Sequence, residues 1–427
     1  MMGQLVRALM LVGLTLSVPA IANELPAGSP QAAGMSAERL ERVGNVIQKA
    51  VDDGEVAGAA GLIVRRGEVA WSGAFGMADR EAGRPMRTDD MFRIVSMTKA
   101  VTSTAVLILY EEGHFQLDDP IARYLPEFDR EMRVVSDDGE ALVPATVPIT
   151  IRHLLTHTSG LSYGFINDEL APYYESAGVT DGVGDNRITS AENIRRLAEA
   201  PLKFEPGSYW HYGLSNDVLG RLVEVISEQT LEEFMTERLF EPLGMVDTYF
   251  QVPDAKRGRM AAVYRHDADG ELERVPDGVI VDAHITYGID YPYADDARLQ
   301  SGGAGLTSTL HDYSRFLQMV LNGGSLDGRR ILSRKTVELM TTNQTARLGV
   351  FRYPGRSWSL AFEVEDGPEA TGLLGSPGLV RWDGFYNTYY WLDPEEELVA
   401  MIFTQHFPFG IELRYRFRTM MYQAIDD

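Results

Sequence analysis

The sequence predicts a mixed α/β fold of the α+β kind, with a mostly antiparallel sheet built from both chain ends, flanking helices, and a mostly helical region inserted between. Three observations predict it: strand-like apolar segments gather near the start (59–75) and the end (386–405), the long middle is helical and loop-rich, and no internal repeat or low-complexity tract interrupts the pattern. Residues 23–427 then read as one domain. Its sheet-containing part covers about 36–113 and 300–427, and its helical part, about 114–299, forms the other wall of a cleft.

The elements follow in order. Arg7 is the only charge before the apolar run Ala8 to Ala22, and Ala20-Ile21-Ala22 has the small-x-small pattern of a cleavage site. Residues 1–22 therefore read as a signal peptide cut after Ala22. The run of about 15 residues is short for a membrane span of roughly 20, so the expectation is a periplasmic or secreted protein with no stable membrane insertion after cleavage. Ser36 caps a helix whose Leu40, Val43, Ile47, Ala50 and Val51 share one face, and Gly54 ends it. Ala59 to Val64 and Val69 to Phe75 are strands joined by Arg65-Arg66-Gly67-Glu68. A long helix runs from about Met97 to Glu112 and stops at Gly113. In the middle, Thr189-x-x-Glu192 and Thr230-x-x-Glu233 are capping boxes, and Leu219, Leu222, Val223 and Ile226 form a buried stripe. Tyr386 to Leu392 and Leu398 to Gln405 flank Asp393-Pro394 as strands. A closing helix turns Phe417, Met420, Met421 and Ala424 inward.

Composition narrows the function classes. The 427 residues, 44% hydrophobic and 24% charged, are ordinary globular proportions and exclude disordered and polytopic membrane chains. A formal charge of −23 without a basic patch repels polyanions, so no nucleic-acid partner is expected. With no cysteine there is neither a disulfide framework nor a thiolate nucleophile.

The chemistry-bearing candidate is Ser96-Met97-Thr98-Lys99 at the start of the long helix, where serine and lysine at i and i+3 share a face. A serine hydroxyl needs a base to take its proton, a desolvated lysine amine can supply one, and the helix N-terminus favours a developing oxyanion. The spacing alone is unspecific, arising about once by chance in a chain of this length. Its context is specific. Phe92-Arg93-Ile94-Val95 precedes it, and Leu154-Leu155-Thr156-His157-Thr158-Ser159-Gly160-Leu161, Trp210-His211-Tyr212 with Asp217-Val218-Leu219-Gly220, and Trp382-Asp383-Gly384 with Tyr389-Tyr390-Trp391-Leu392-Asp393-Pro394 follow in order.

These landmarks resemble the serine β-lactamase and penicillin-binding-protein superfamily, closest to the family VIII carboxylesterases, which are similar to class C β-lactamases. The resemblance covers about residues 36–425 and implies a β-lactamase-like fold. It further implies Ser96 as the acylated nucleophile, Lys99 as its activating partner and Tyr212 as a proton shuttle, with an oxyanion hole of the Ser96 and Phe385 backbone N–H groups. A phenol beside an ammonium has its ionised form favoured, so the expectation is that Tyr212 takes the serine proton, hands it to the leaving alkoxide and later activates water.

Departures from the lactamase pattern inform the substrate. Tyr212-Gly213-Leu214 lacks the amide of Tyr-x-Asn, and Asn216 comes two positions late. Trp382-Asp383-Gly384 stands where Lys-Thr-Gly would hold a substrate carboxylate, so Trp382 and Gly384 point to a neutral acyl compound. Arg381 is a nearby cation, but on a strand its side chain faces away from that of Trp382.

Other readings stand beside this one. Gly160-Leu161-Ser162-Tyr163-Gly164 matches the G-x-S-x-G nucleophile elbow, and a triad of Ser162, a later Asp and His406 can be written, but Ile151 to Leu155 before it reads as helix rather than strand. His157 has only His153 as a helical neighbour, which favours a turn histidine hydrogen-bonded to backbone over a metal ligand. No metal or cofactor is expected. Tyr163, Phe165, Tyr173 and Tyr174, and likewise Tyr287, Tyr291 and Tyr293, are either a substrate-contacting rim, in which Tyr163, Tyr291 and Tyr293 are candidates, or ordinary loop packing. The predicted function is hydrolysis of a small-molecule carboxylic ester through an acyl-serine. The alternatives are a β-lactamase or D,D-peptidase, an acyltransferase, and a non-enzymatic binding protein.

Overall fold

In a computed structural model, the described residues are 24–427 except 137–140, 167–168, 185, 283–284, 295–297, 346–347 and 352. Residues 1–22, where the sequence reading places a signal peptide, lie outside them.

Eight strands form one antiparallel sheet: β1 (Gly58–Arg65), β2 (Glu68–Asp79), β3 (Arg84–Pro85), β4 (Arg356–Trp358), β5 (Glu363–Glu365), β6 (Leu379–Asp383), β7 (Tyr389–Asp393) and β8 (Leu398–Thr404). The spatial order is β4-β5-β6-β7-β8-β1-β2-β3, so the two ends of the chain meet at the β8–β1 pair, with Leu62 opposite Met401. The β1–β2 hairpin turns on Arg66 and Gly67, both at positive φ (55° and 80°), which suits a two-residue turn between right-twisted strands. Every residue of β1, β7 and β8 is buried, because both faces of the sheet are covered.

The alternation of side chains divides the core. Ala59, Ile63, Ala400, Ile402 and Trp391 face α1 (Ala37–Asp52) and the closing helix, whose Phe417 and Met421 join the same cluster. Leu62, Val64, Met401, Phe403, Tyr390 and Trp382 face the opposite way, against α2 (Thr98–Glu111) and the helical region. Ser36 caps α1 through Arg39 N, and Leu40, Val43, Ile47 and Ala50 are its buried stripe. In α2 every residue from Thr98 to Leu109 is buried, so it carries no one-sided stripe: it is the central helix between sheet and helical layer. Against it packs α3 (Ser215–Ser227), then α4 (Leu310–Leu321) lies along the sheet, and α5 (Leu413–Tyr422) closes the chain beside α1.

Two local expectations need correction. Thr189 caps its helix through Glu192 N, but the Glu192 carboxylate pairs with Arg195 and Arg196 rather than returning to the cap, whereas Thr230 and Glu233 make the full reciprocal box. The 114–299 stretch also contains small strand pairs, Arg133–Val135 with Leu142–Pro144, Tyr264–His266 with Leu272–Arg274, and Val279–Asp282 with Ile285–Gly288. Strands of three or four residues are too short to show a period of two. Among the described residues, no helix is long and apolar enough to cross a membrane.

Phe417 is fully buried between Trp71 and Trp391. Phe417→Ala is expected to destabilise the fold by about 3–5 kcal/mol in urea unfolding, through lost transfer energy and a cavity under β1.

Candidate active site

Ser96 lies in a single 3-10 turn, Val95–Met97, that runs straight into α2. Val95, just before it, has φ +42°, a left-handed conformation that a β-branched residue rarely adopts. The Val95 side chain is held in an apolar cluster with Ala304 and Tyr386, so surrounding packing sustains the strain that sets the serine at the mouth of the helix.

One turn on, Lys99 Nζ donates to Ser96 Oγ at 3.3 Å and to the Gly303 carbonyl at 2.8 Å. The same nitrogen faces the rings of Tyr212 and Tyr163, 4.6 and 5.2 Å from their centroids. Tyr212, just before α3, has its hydroxyl hydrogen-bonded to Ser96 and to Trp382 Nε1, the latter at 3.4 Å. Trp382 projects from β6 toward the site because it alternates with Arg381, which points to the other face and pairs with Glu363 at 2.5 Å and Glu365 at 2.9 Å. The cation is turned away from the site, as the strand period requires. Gly384 is needed where β6 ends: a Cβ there would lie 2.5 Å from the Ile94 carbonyl and 2.2 Å from Thr388 Oγ1. The following residue, Phe385, packs against the apolar cluster that holds Val95.

Burial acts on the amine and the phenol in opposite senses. Lys99 is only 1% exposed, and loss of water pushes its amine down to about 7 although Asp217 and Asp383 pull the other way. Burial drives the Tyr212 phenol above its ordinary value, and the hydrogen bonds from Ser96 and Trp382 do not offset it. Burial therefore favours a neutral lysine and a protonated phenol, against the expectation of a phenol whose ionised form is favoured.

Around this centre stands an aromatic wall. Trp358 meets Trp382 edge-on at 4.5 Å, Phe351 lies parallel to Trp382 at 6.3 Å, and Tyr163 stacks on Phe165 at 4.7 Å. Beyond Tyr212 opens a cleft of about 1230 Å³ lined mainly by Val134, Val143, Ile166, Phe204, Tyr209, Trp210, Leu348 and Phe351. Lys203, the one Lys or Arg among the described residues of that lining, is paired with Glu169 at 2.6 Å.

The remaining sequence candidates fall elsewhere. Tyr291 is buried with its hydroxyl 3.5 Å from the Ala304 carbonyl, and Tyr293 is tied to Arg93 at 3.2 Å and Asp277 at 3.0 Å. Neither lines the cleft, because the buried Arg93 guanidinium, also bonded to the Ile289 and Ala261 carbonyls, gathers that loop to itself. Tyr287 is buried against Phe407, and Tyr174 accepts the Ser162 N–H at 3.0 Å. Tyr173 is exposed. Ser162 is fully buried after the helix Ile151–Leu155, not after a strand, and its Oγ lies 2.9 Å from Nε2 of His211. His406 instead meets the His266 ring edge-on at 4.9 Å, so the triad written from sequence does not form. The His157 ring is also not bonded to backbone: both its nitrogens lack partners among the described residues, it is enclosed by Trp210, Tyr212 and Trp358, and burial holds its pKa well below the usual histidine value. Asn216, no part of the site, donates at 3.3 Å to the Lys99 carbonyl and to Ser103. Sequence reasoning missed Phe351 and Trp358, which sit on short strands and loops, and the Gly303 carbonyl, for which the Ser301-Gly302-Gly303 run was a signal.

A family model described as Beta-lactamase matches residues 43–421. Esterase EstB of Burkholderia gladioli is 35% identical over 383 residues, covering 88% of this chain and 93% of its own. Acyltransferase calJ of Penicillium decumbens is 30% identical, covering 76% of this chain and 78% of its own. Among solved structures, EstCE1, described as a hydrolase with promiscuous acyltransferase activity, superposes with a TM-score of 0.78 at 28% identity over 91% of this chain and 98% of its own.

A buried amine that gives up its proton near 7 when folded, but near 10.5 when exposed, means the unfolded chain binds more protons between those pH values, so stability rises with pH across that window. Lys99→Met is therefore expected to exceed the wild type in stability by on the order of 2 kcal/mol at pH 6, with the gap shrinking toward pH 10, in urea unfolding at both pH values.

Proposed function

The chain belongs to the beta-lactamase family, and from that premise we propose that this serine hydrolase is a carboxylesterase acting on neutral, apolar esters through an acyl-Ser96 intermediate. The observation that carries the reading is the fully buried Lys99 amine on Ser96 Oγ, with Tyr212 completing the triangle.

Lys99 takes the Ser96 proton as Oγ attacks the ester carbonyl, and the oxyanion is met by the Ser96 and Phe385 N–H groups. Tyr212 delivers its proton to the departing alkoxide and is recharged from the Lys99 ammonium. In the second half Lys99 takes a proton from water as its oxygen attacks the acyl carbon, and that proton is passed to Ser96 Oγ as the acyl–oxygen bond breaks, which releases the acid. Trp382 stands in place of a lysine that would hold a carboxylate, and Arg381 is turned to the far face, which supports esters over β-lactams and peptidoglycan stems. The largely apolar cleft beyond Tyr212 suits a short or bulky uncharged group, with Trp382 beside Tyr212, Tyr163 beside Lys99, and Gly384 meeting the substrate at the serine end. A second reading, transfer of the acyl group to an alcohol in place of water, is supported by the acyltransferase relative. Residues 1–22 fit export to the periplasm or beyond.

The test is p-nitrophenyl butyrate hydrolysis by the mature protein. Ser96→Ala is expected to lose about 10³-fold or more in kcat, with Ser162→Ala retaining activity within about tenfold. Loss confined to Ser162→Ala overturns the mechanism. Wild-type hydrolysis of benzylpenicillin faster than of the ester overturns the substrate class, and an acylated alcohol outweighing free acid when butanol is added favours the second reading.

A further inference from the structure

We propose that Asp217 is the positioning residue of Lys99: through the Gly303 peptide it holds the amine beside Ser96, and it sets a buried carboxylate behind that amine. The inference deepens the reading above and rests on Lys99 being the base for Ser96.

Among the described residues, Lys99 Nζ is hydrogen-bonded to Ser96 Oγ and the Gly303 carbonyl alone, so whatever fixes Gly303 fixes the amine. Two contacts hold the strand of chain that carries it. Ser301 Oγ donates to Asp217 Oδ1 at 2.6 Å, and Thr102 Oγ1 donates to the Gly302 carbonyl at 2.7 Å, so α3 and α2 clamp the segment from both sides. Gly303 then lies flat on the carboxylate. A Cβ there would sit 2.5 Å from Asp217 Oδ2 and 2.9 Å from the Tyr163 hydroxyl, so glycine is required for the peptide to approach. Gly182 seals the other side, where a Cβ would fall 2.3 Å from Ser301 Oγ.

The electrostatics agree with this geometry. Asp217 is 4% exposed, and its Oδ2 makes no hydrogen bond of full geometry among the described residues. Such a carboxylate is costly unless a cation answers it. Burial raises the Asp217 pKa to about 6, while the Ser301 hydroxyl, Lys99 and the Gly303 N–H favour its charge. Lys99 is faced by Asp217 from α3, by Asp383 from β6, by His157, and by the Tyr163 and Tyr212 rings. Asp217 is faced in turn by Lys99, Tyr163 and Asp181. With Asp217 neutralised, only the Asp383 charge opposes desolvation, and the amine loses its proton at lower pH.

The test is the pH dependence of p-nitrophenyl butyrate hydrolysis by full-length mature variants. Asp217→Asn is expected to move the acid limb of kcat/KM down by about one pH unit and to lower kcat about tenfold, with KM within about twofold. Ser301→Ala keeps the charge but removes its Oδ1 partner, and it is expected to move the limb the same way by less. An unmoved limb in both variants overturns the proposal even where rates fall, since a merely structural role lowers activity without shifting it. Where Asp217→Asn does not fold, Ser301→Ala decides alone. Lys99→Ala separates the two readings: wild-type rate and acid limb in that variant would show that Lys99 is not the base, whatever Asp217 does.

Discussion

A lysine amine taken out of water is the constraint around which this site is organised. Placing Lys99 at 1% exposure forfeits hydration that protein groups only partly return. The Gly303 carbonyl, the Tyr163 and Tyr212 rings and the Asp217 and Asp383 carboxylates return enough to keep the group in place without restoring its ordinary basicity. The result is an amine whose proton affinity is lowered toward neutral pH, where the proposed general base would be most effective.

That arrangement depends on the fold bringing distant parts of the chain to one point. Ser96 and Lys99 come from α2, Tyr212 from the entry to α3, Gly303 from the loop before α4, and Trp382 from β6. These segments are separated by up to nearly three hundred residues of sequence, and the β8–β1 pairing, which joins the two ends of the chain, makes their convergence geometrically possible. The sheet's alternation does the final sorting: Trp382 enters the site while Arg381 is committed to Glu363 and Glu365 on the far face. One residue of register therefore separates a site that presents an indole from one that presents a cation.

Much of this is legible in the sequence where periodicity is strong. The α1 stripe, the β1–β2 hairpin with its Arg66-Gly67 turn and the strands around Asp393-Pro394 follow from periods of 3.6 and 2. The serine–lysine pair follows from one helical turn of spacing. The small strand pairs of the helical region do not, because three residues carry no period. Nor do the partners of Lys99: Gly303 contributes a carbonyl and Asp217 lies more than a hundred residues away, so neither leaves a local pattern. The failure at Tyr212 is of another kind. A phenol near an ammonium predicts an ionised phenol only if the ammonium is charged, and the depth of burial that removes that charge is a property of the assembled fold. Tyr291 and Tyr293 were legible as a loop but not as one gathered to a buried arginine.

The most direct measurement is an NMR titration of the lysine side chains. The chain has five lysines, 49, 99, 203, 256 and 335, so their ε-methylene signals can be assigned by single substitutions. The account predicts one signal, absent in Lys99→Met, that titrates near 7. A Lys99 signal that titrates at the ordinary lysine value of about 10.5 would contradict it, since the amine would then be a protonated cation at neutral pH and not the base that activates Ser96.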